Sequence, residues 1–336
     1  MPDLSTNYLG LKLKNPLVPS STPLSHRLDP VLHLEDAGAA AIVMHSLFEE
    51  DVRNDEQMID RFLVHPDAFG EAAGHLPAAD NYQSRLDSYL EQIGRLKQRL
   101  SIPVVASLNG SSLNGWVELG REMQAAGADA LELNAWYMPG DPGLSGEALE
   151  DHYISLLREL RQAVTIPVSM KLSPFFSSLP HFVHQVEAAG AAGVSLFNRF
   201  FQPDIDLDTL SVVDRVQLSS SADVLLTMRW VAILRGRTGL SLAATGGVHT
   251  AADALKMLLA GADVVHLASA LLERGPQVLM EMLDGIAHWM ETREYASVGQ
   301  LKGSMSQRNS TDPSAFARAA YLHALDSFTP PPGVRY

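Results

Sequence analysis

A short phrase that recurs four times constrains the fold of this chain more than any other feature. It begins with Ala-Gly-Ala and continues into apolar residues, as AGAAAIVM at 37–44, AGADALEL at 126–133, AGAAGVSL at 189–196 and AGADVVHL at 260–267. Glycine adopts the left-handed conformation that ends many helices, and a short apolar run is typical of a strand buried on both faces. Each copy therefore predicts the end of a helix followed by a buried strand.

Further strand-like runs lie between these joints, at 17–22, 103–108, 167–172 and 241–246. The intervals carry helical patterns at 27–37, 81–100, 114–126, 146–164, 178–189, 223–237, 250–260 and 276–292. Eight strands that alternate with eight helices indicate a parallel sheet, and this number favours a closed (β/α)8 TIM barrel over an open doubly wound sheet. We expect one domain over 1–336, with a tail at about 293–336 that is helical near 313–327.

The composition excludes several functional classes. The chain has 336 residues, a formal net charge of −14 and no cysteine. An acidic protein is a poor partner for nucleic acid, which is bound through its phosphates. Without cysteine the chain has no disulfide, no thiol nucleophile and no cysteine-ligated iron–sulfur cluster. We therefore expect a small-molecule substrate, no nucleic-acid partner and no metal site.

The N-terminal sequence MPDLSTNYLGLKLKNP lacks the basic start and apolar core of a signal peptide. No apolar run reaches the ~18 residues that indicate a membrane span. We expect a cytoplasmic, soluble protein without a membrane partner, and a homo-oligomer, most simply a dimer.

Polar residues follow the predicted strands at the ends that converge at the mouth of a barrel. In barrel enzymes this face carries the active site. The set is rich in amides and hydroxyls and has one ammonium group: Ser20, Ser21, Thr22, His45, Ser46, Ser107, Asn109, Asn134, Lys171, Asn198, Thr245, Gly246, Gly247 and Ser269.

The stretch ATGGVHTAADAL at 244–255 predicts a phosphate site. Two glycines between a strand and a helix allow backbone N–H groups to approach a phosphate, and the loops after the last two barrel strands commonly form such a site. An ordinary tight turn is the alternative. A second strand end with small residues, Ala268 and Ser269, favours the phosphate.

Lys171 lies within the apolar strand PVSMKL, where an unpaired lysine is costly to bury. A side chain that reaches solvent at the mouth is one explanation. Its position near the end of the strand favours a functional lysine beside an anionic or electron-accepting group. Asn109, Asn134 and Asn198 offer donors and acceptors to a polar heterocycle, so the four residues together predict a recognition set.

The order and spacing of these motifs resemble the dihydroorotate dehydrogenase family. The motifs are NPLVPSST at 15–22, ELNAWYMPG at 132–140, MKLSPFF at 170–176, SLFNR at 195–199, ATGGVHTAADAL at 244–255 and LASALLERGP at 267–276. Members of the family are FMN-binding (β/α)8 barrels that oxidise dihydroorotate to orotate, and the soluble class is the most similar.

Together with the strand-end pattern, the resemblance predicts which residues hold FMN: Ser20, Ser21, Ser107, Asn109, Asn134, Lys171, Asn198, Thr245, Gly246, Gly247, Ala268 and Ser269. Within this set the resemblance implies that Gly246, Gly247, Ala268 and Ser269 hold the phosphate. It implies that Lys171 lies near the flavin's N1–C2 carbonyl, where it would stabilise negative charge on reduction. The residues expected to face the substrate are His45, Asn81, Asn134 and Asn198.

Three stretches depart from the family pattern. The lysine that the family carries after strand two is replaced within VMHS, by Met44 or His45, and a family Gly-Gly after strand six is replaced by LSSSADV at 218–224. In ELNAWYMPG, Tyr137 falls on the position of the family's base and Pro139 on that of an asparagine.

A tyrosine with an unperturbed pKa of ~10 accepts protons poorly at neutral pH but donates them well. Tyr137 is therefore an acid in a double-bond reductase, an unusual base in a dihydroorotate dehydrogenase, or a lid residue without a proton role. We expect an FMN-dependent oxidoreductase that acts on a CH–CH bond, with Tyr137 and Lys171 as catalytic residues. The alternatives are a flavin-dependent reductase of another unsaturated substrate and a flavin component that passes electrons to a redox partner protein.

Overall fold

The computed structural model describes residues 1–55, 84–110, 113–135, 137–199, 202–213, 216–317, 319–327 and 329–330. The strands are β1 (Thr6–Tyr8), β2 (Leu11–Leu13), β3 (Leu17–Pro19), β4 (Ile42–Phe48), β5 (Val104–Asn109), β6 (Ala130–Asn134), β7 (Val168–Leu172), β8 (Gly193–Leu196), β9 (Asp204–Asp206), β10 (Ser211–Val213), β11 (Ser241–Thr245) and β12 (Val264–Leu267).

Eight parallel strands form the central sheet, in the order β3-β12-β11-β8-β7-β6-β5-β4. The two ends of this order lie next to each other, since the Ala40 N–H, two residues before β4, donates to the Leu17 carbonyl of β3 at 3.0 Å. The predicted (β/α)8 TIM barrel is therefore confirmed. Two antiparallel hairpins, β1–β2 and β9–β10, lie outside the barrel sheet and were not predicted.

The described helices are α1 (Leu28–Asp36), α2 (residues 49–55), α3 (Arg85–Arg99), α4 (Leu113–Ala125), α5 (Gly146–Ala163), α6 (Leu179–Ala188), α7 (Val224–Leu234), α8 (Ala251–Ala260), α9 (Ser269–Arg274), α10 (Gln277–Thr292), α11 (Val298–Leu301) and α12 (Ala319–Asp326). The eight predicted helices agree with this set to within a few residues. In the tail, a 3-10 turn at Pro313–Phe316 precedes α12 where a single helix was expected. None of the helices in the described parts of the chain is long and apolar enough to cross a membrane.

The four glycines of the repeated phrase have the backbone conformation that the sequence predicts. Their φ angles are positive, at 106° for Gly38, 104° for Gly127, 93° for Gly190 and 129° for Gly261. Each glycine N–H donates back to a carbonyl of the preceding helix, which satisfies a group that the helix end would leave unpaired. The chain then turns directly into a buried barrel strand.

The β1–β2 hairpin closes the end of the barrel opposite the mouth. Tyr8 and Leu9 at its turn are almost completely buried, among small side chains such as Ala130 and Ala243. The Leu9 N–H donates to the Ser241 hydroxyl at 3.0 Å, and the Tyr8 ring lies edge-on to the His266 ring with centroids 5.8 Å apart. Among the described residues, the hairpin therefore closes the barrel at the end opposite the mouth.

Alternation along β6 separates the two layers of the core. Leu131 and Leu133 pack with the helices, whereas Ala130 packs with the hairpin inside the barrel. Because successive side chains of a strand point to opposite faces, Glu132 and Asn134 also point inward. The interior of this barrel thus carries a charged residue one step below the mouth.

Candidate active site at the mouth of the barrel

A cavity of about 230 Å³ lies at the carboxyl ends of the strands. The predicted residues that line it are Ser20, Ser21, Asn134, Lys171, Asn198, Thr245, Gly246, Gly247, Ala268 and Ser269. The remaining lining residues were not among the predicted site residues; they are Phe197, Arg199, Ser219, Val248 and His266. The structure therefore brings most of the predicted cofactor set together around one space.

One end of the cavity is a glycine cradle, formed by Gly246, Gly247, Ser219 and Ser269. Both glycines have positive φ, at 96° and 78°. No heavy atom lies within 4 Å of the point where a Gly246 Cβ would be, whereas a Gly247 Cβ would lie 2.9 Å from the Ser220 carbonyl oxygen and overlap the backbone of Val224. Glycine at 247 therefore lets two loops approach closely, and glycine at 246 leaves open space above the backbone.

Ser219 belongs to the LSSSADV stretch that departs from the family pattern. Its N–H and its hydroxyl both donate to the Ser269 Oγ at 3.0 Å, and its hydroxyl lies 3.1 Å from the His249 Nε2. The replacement of the family's Gly-Gly by LSSSADV was the feature of the sequence that could have indicated Ser219, since a serine here adds a hydroxyl to the cradle.

The opposite end of the cavity carries buried amides and the ammonium group. The Asn198 Nδ2 donates to the Asn134 Oδ1, and the Asn198 N–H donates to the Leu172 carbonyl at 2.8 Å. Lys171 is paired in register with Asn134 on the neighbouring strand, and its side chain is only 10% exposed. These side chains present donors, an acceptor and a positive charge to one ligand.

Lys171 also has a buried counter-ion. Its Nζ lies 3.7 Å from the Oε1 of Glu132, whose side chain is 1% exposed. Neither carboxylate oxygen of Glu132 has a hydrogen-bond partner among the described residues. Glu132 lies in one of the strands predicted from the sequence, where no functional role was expected for it.

His266 lies at the floor of the same cavity. Its Nδ1 is 3.4 Å from the Ser195 Oγ, and its Nε2 has no hydrogen-bond partner in the described structure. Burial, with a further contribution from the positive charge of Lys171, lowers the pKa of His266 from 6.5 to about 3. The ring is therefore neutral near neutral pH.

Arg199 links the mouth cavity to a second, more open one that shares Phe197 and Asn198 with it. Its Nε donates to the Gln217 carbonyl at 2.9 Å, and its guanidinium lies 3.6 Å from the carboxylate of Asp223. Arg199 is thus tied to the loop that carries LSSSADV.

Ser107 and Asn109 do not line the cavity, although both are buried at the end of β5. Ser107 is connected to it through a chain of hydroxyls: its Oγ is 2.8 Å from that of Ser46, which lies 3.3 Å from that of Ser21. Asn109 is paired in register with Asn134.

Of the two candidates at the position of the family's lysine, Met44 packs into the layer between barrel and helices, and His45 follows it at a bulge in β4. The His45 ring stacks on His26 with centroids 3.7 Å apart, and its Nδ1 lies 3.2 Å from the Ser25 Oγ. Burial, and then the neighbouring His26, lower the pKa of His45 from 6.5 to about 4. The structure does not bring His45 to the cavity.

Tyr137 also lies outside the cavity lining, with 40% of its surface exposed. Beneath it is the buried Tyr153: burial raises the pKa of Tyr153 to about 12, although a hydrogen bond from the backbone of Tyr137 opposes this rise. Asn81, predicted to face the substrate, lies outside the described residues.

Comparison with known proteins agrees with this architecture. The family model described as dihydroorotate dehydrogenase matches residues 3–290. The chain is 28% identical to the catalytic subunit of dihydroorotate dehydrogenase B (NAD(+)) from Thermoplasma acidophilum, over 90% of this chain and 99% of that protein.

Two further relatives differ in the reactions that their names give. Dihydroorotate dehydrogenase A (fumarate) from Lactobacillus delbrueckii subsp. bulgaricus is 27% identical, over 81% of this chain and 89% of that protein. A subunit of NAD-dependent dihydropyrimidine dehydrogenase from Escherichia coli is 24% identical, over 90% of this chain and 76% of that protein. The chain is thus a divergent member of the dihydroorotate dehydrogenase family of oxidoreductases.

Proposed function

We propose that this chain is an FMN-dependent oxidoreductase that acts on a CH–CH bond of a small heterocycle, either dihydroorotate or a related dihydropyrimidine. The observation that carries the proposal is the single mouth cavity, which joins the glycine cradle to Lys171 and the Asn134–Asn198 pair. Phosphate, ring and substrate therefore have adjoining sites in one space.

The residues present fit FMN at both ends of that space. The positive φ angles of Gly246 and Gly247, and the open space beside Gly246, give a phosphate direct access to backbone N–H groups. The hydroxyls of Ser219 and Ser269 add side-chain partners for its oxygens. At the other end, Lys171 and the amides suit an electron-accepting ring with carbonyl and N–H groups.

FMN bound here would supply the chemistry of accepting and returning the electron pair of the CH–CH oxidation. The chain's own contribution is electrostatic and positional. The Lys171 ammonium is fixed at the floor of a largely buried site, where a positive charge stabilises developing negative charge more than it would in water. The Asn134–Asn198 pair can orient a substrate through its lactam groups.

Proton transfer is the part of the reaction that the described residues support least. Tyr137 is exposed and apart from the cavity, so its role as acid or base stays a prediction. The neutral ring of His266 lies at the floor, but its Nδ1 already faces Ser195.

The test is reconstitution with FMN followed by anaerobic reduction. We expect the protein to bind FMN more tightly than riboflavin, which lacks the phosphate, and its flavin absorbance to bleach with dihydroorotate or a dihydropyrimidine such as dihydrouracil. NAD(P)H serves as a further reductant in the same assay. Protein that binds neither flavin would refute the proposal, and binding without reduction by any CH–CH donor would refute its enzymatic part.

A second candidate is a catalytic component that passes electrons to a partner protein. The Thermoplasma and Escherichia coli relatives are both named as subunits. Gln202 and Val216, which flank the β9–β10 hairpin in the chain, line the second cavity, and the hairpin itself exposes four apolar residues of the kind that mark protein interaction sites: Ile205, Leu207, Leu210 and Val212. If a partner is required, substrate will reduce the flavin but purified chain alone will not turn over with NAD⁺ or fumarate; turnover with either would exclude this candidate.

A further inference from the structure

Glu132 is the buried charged residue that the proposed function leaves unexplained. It lies at the middle of β6, in register with Ser107 on one side and Ser169 on the other. Glu132 is 0% exposed, and neither of its carboxylate oxygens has a hydrogen-bond partner among the described residues. A carboxylate in such a position is strongly disfavoured unless another charge compensates it.

The neighbours of Glu132 leave one candidate for that compensation. Its neighbours in register are Ser107 and Ser169, and the Tyr8 hydroxyl donates to the Ser169 Oγ at 3.5 Å. The negative charge of Glu132 adds to the burial that raises the pKa of Tyr8 and of Tyr89. His266 is neutral near neutral pH because burial lowers its pKa. Among the described residues, the Lys171 ammonium at 3.7 Å is the cation that faces the carboxylate.

Lys171 connects this buried charge to the cavity. Its side chain lines the mouth, while its Nζ also lies against Glu132 one layer below. The ammonium therefore lies between two partners: the Glu132 carboxyl group beneath it, and the group that accepts charge above it.

We propose that Glu132 is a positioning residue: its carboxylate anchors the Lys171 ammonium at the cavity floor and offsets part of that positive charge, which makes a flavin bound above harder to reduce. The flavin half of this inference rests on the proposed function. The ion pair itself does not, since it is a property of the barrel interior.

The direction of the electrostatic effect follows from charge. Reduction places negative charge on the flavin ring, which Lys171 attracts and Glu132 repels. Glu132→Gln removes the repulsion and keeps a side chain of similar shape. The equilibrium constant for flavin reduction is expected to rise about tenfold, which corresponds to about +30 mV for a two-electron couple.

The first experiment measures the flavin midpoint potential against a reference dye. Glu132→Gln should raise the potential and Lys171→Met should lower it. Glu132→Gln should still raise the potential when Lys171 is already Met, because the carboxylate repels the reduced ring directly. Ser195→Ala is the matched control, because it changes an uncharged interior side chain on the adjoining strand and should leave the potential unaltered. An unchanged or lower potential in Glu132→Gln would overturn the inference.

The second experiment needs no flavin. Denaturant unfolding of the apo protein is compared for Glu132→Gln, Lys171→Met and the double variant. Lys171→Met should lower the denaturant midpoint more than Glu132→Gln does, because it leaves the more deeply buried charge, that of Glu132, without a partner. The double variant should recover part of that loss.

If a single variant does not fold but the double variant does, the unpaired charge is what prevents folding, and the ion pair is supported. A double variant that is no more stable than Lys171→Met would overturn the pairing. Should the protein fail to bind FMN at all, the proposed function falls while this unfolding cycle still decides the ion pair.

Discussion

The glycine cradle follows β11 and β12 at the barrel mouth, and the bulge lies within β4, two strands away from β12 around the barrel. The two regions differ in how closely their residues lie to where the sequence placed them. At the cradle, Gly246, Gly247 and Ser269 line the cavity as the sequence indicated. At the bulge, His45 turns to His26 and Ser25 rather than to the cavity. The conformation of the backbone at a glycine can be predicted from residue type, whereas the position of a side chain depends on which neighbours it contacts.

The strongest test of this contrast compares two adjacent glycines. Gly247→Ala should weaken FMN binding by about a hundredfold or more, because the new Cβ would overlap the backbone at Val224 and the residue keeps a strained positive φ. Gly246→Ala meets no atom within 4 Å, so only its φ of 96° is strained. Gly246→Ala should therefore lower the free energy of unfolding by about 1–2 kcal/mol.

Flavin fluorescence titration gives the two affinities, and urea unfolding of the apo proteins separates lost stability from lost binding. Equal effects of the two substitutions on FMN affinity would show that close approach at Gly247 does not shape the cradle.

A smaller effect is expected from the buried amides. Asn198→Ala removes the donor to the Asn134 Oδ1 and should cost about 1–3 kcal/mol in stability and weaken ligand binding. Asn109→Ala is the comparison, since Asn109 is equally buried at a strand end but outside the cavity lining. It should lower stability without changing FMN affinity, as measured by the same titration. A loss of affinity in Asn109→Ala would return that residue to the cofactor site.

Much of the fold was predictable because its determinants are local. The four Ala-Gly-Ala joints specify helix ends through the positive φ of a single residue, and the apolar runs after them have the right length for buried strands. The β9–β10 hairpin was missed because its apolar residues are exposed rather than buried, so their pattern did not suggest a sheet.

Less of the candidate site than of the fold could be predicted from the sequence. The role of Lys171 as a mouth residue followed from its place in a strand, but Glu132 could be recognised as its partner only when the register set β6 beside β7. The position of His45 depends on a bulge between Val43 and Ser46. Opposite this bulge, on β5, the Tyr89 hydroxyl donates to the Ser107 carbonyl and accepts from the Ser107 N–H. These contacts join residues far apart in the chain, so no local sequence pattern predicts them.

The β4 bulge makes its own prediction about acid stability. The pKa of His45 is lowered from 6.5 to about 4, so the folded protein resists a proton that the unfolded chain accepts. The contribution of His45 to the free energy of unfolding is therefore complete above pH 6.5 and is lost as the pH falls toward 4. Discounted for partial exposure of the ring, the loss attributable to His45 is about 1–2 kcal/mol.

His45→Gln should flatten that part of the curve of unfolding free energy against pH, while His33→Gln, at an exposed position, should not. Some acid sensitivity remains in His45→Gln because the buried His266 has a pKa lowered in the same direction. A curve identical to that of the unmodified protein would show that His45 titrates normally.

The smallest effect is predicted for Tyr137, the residue that falls on the position of the family's base. Its side chain is 40% exposed and apart from the cavity, so Tyr137→Phe should change stability by no more than about 0.5 kcal/mol and leave the rate of flavin reduction unaltered. Tyr153→Phe is the matched control: it removes a buried hydroxyl beside the Tyr137 backbone and should cost about 1 kcal/mol. Anaerobic stopped-flow reduction at several pH values measures the rates. A tenfold slower reduction in Tyr137→Phe with unchanged substrate affinity and an altered pH profile would contradict the lid interpretation and make Tyr137 a proton-transfer group.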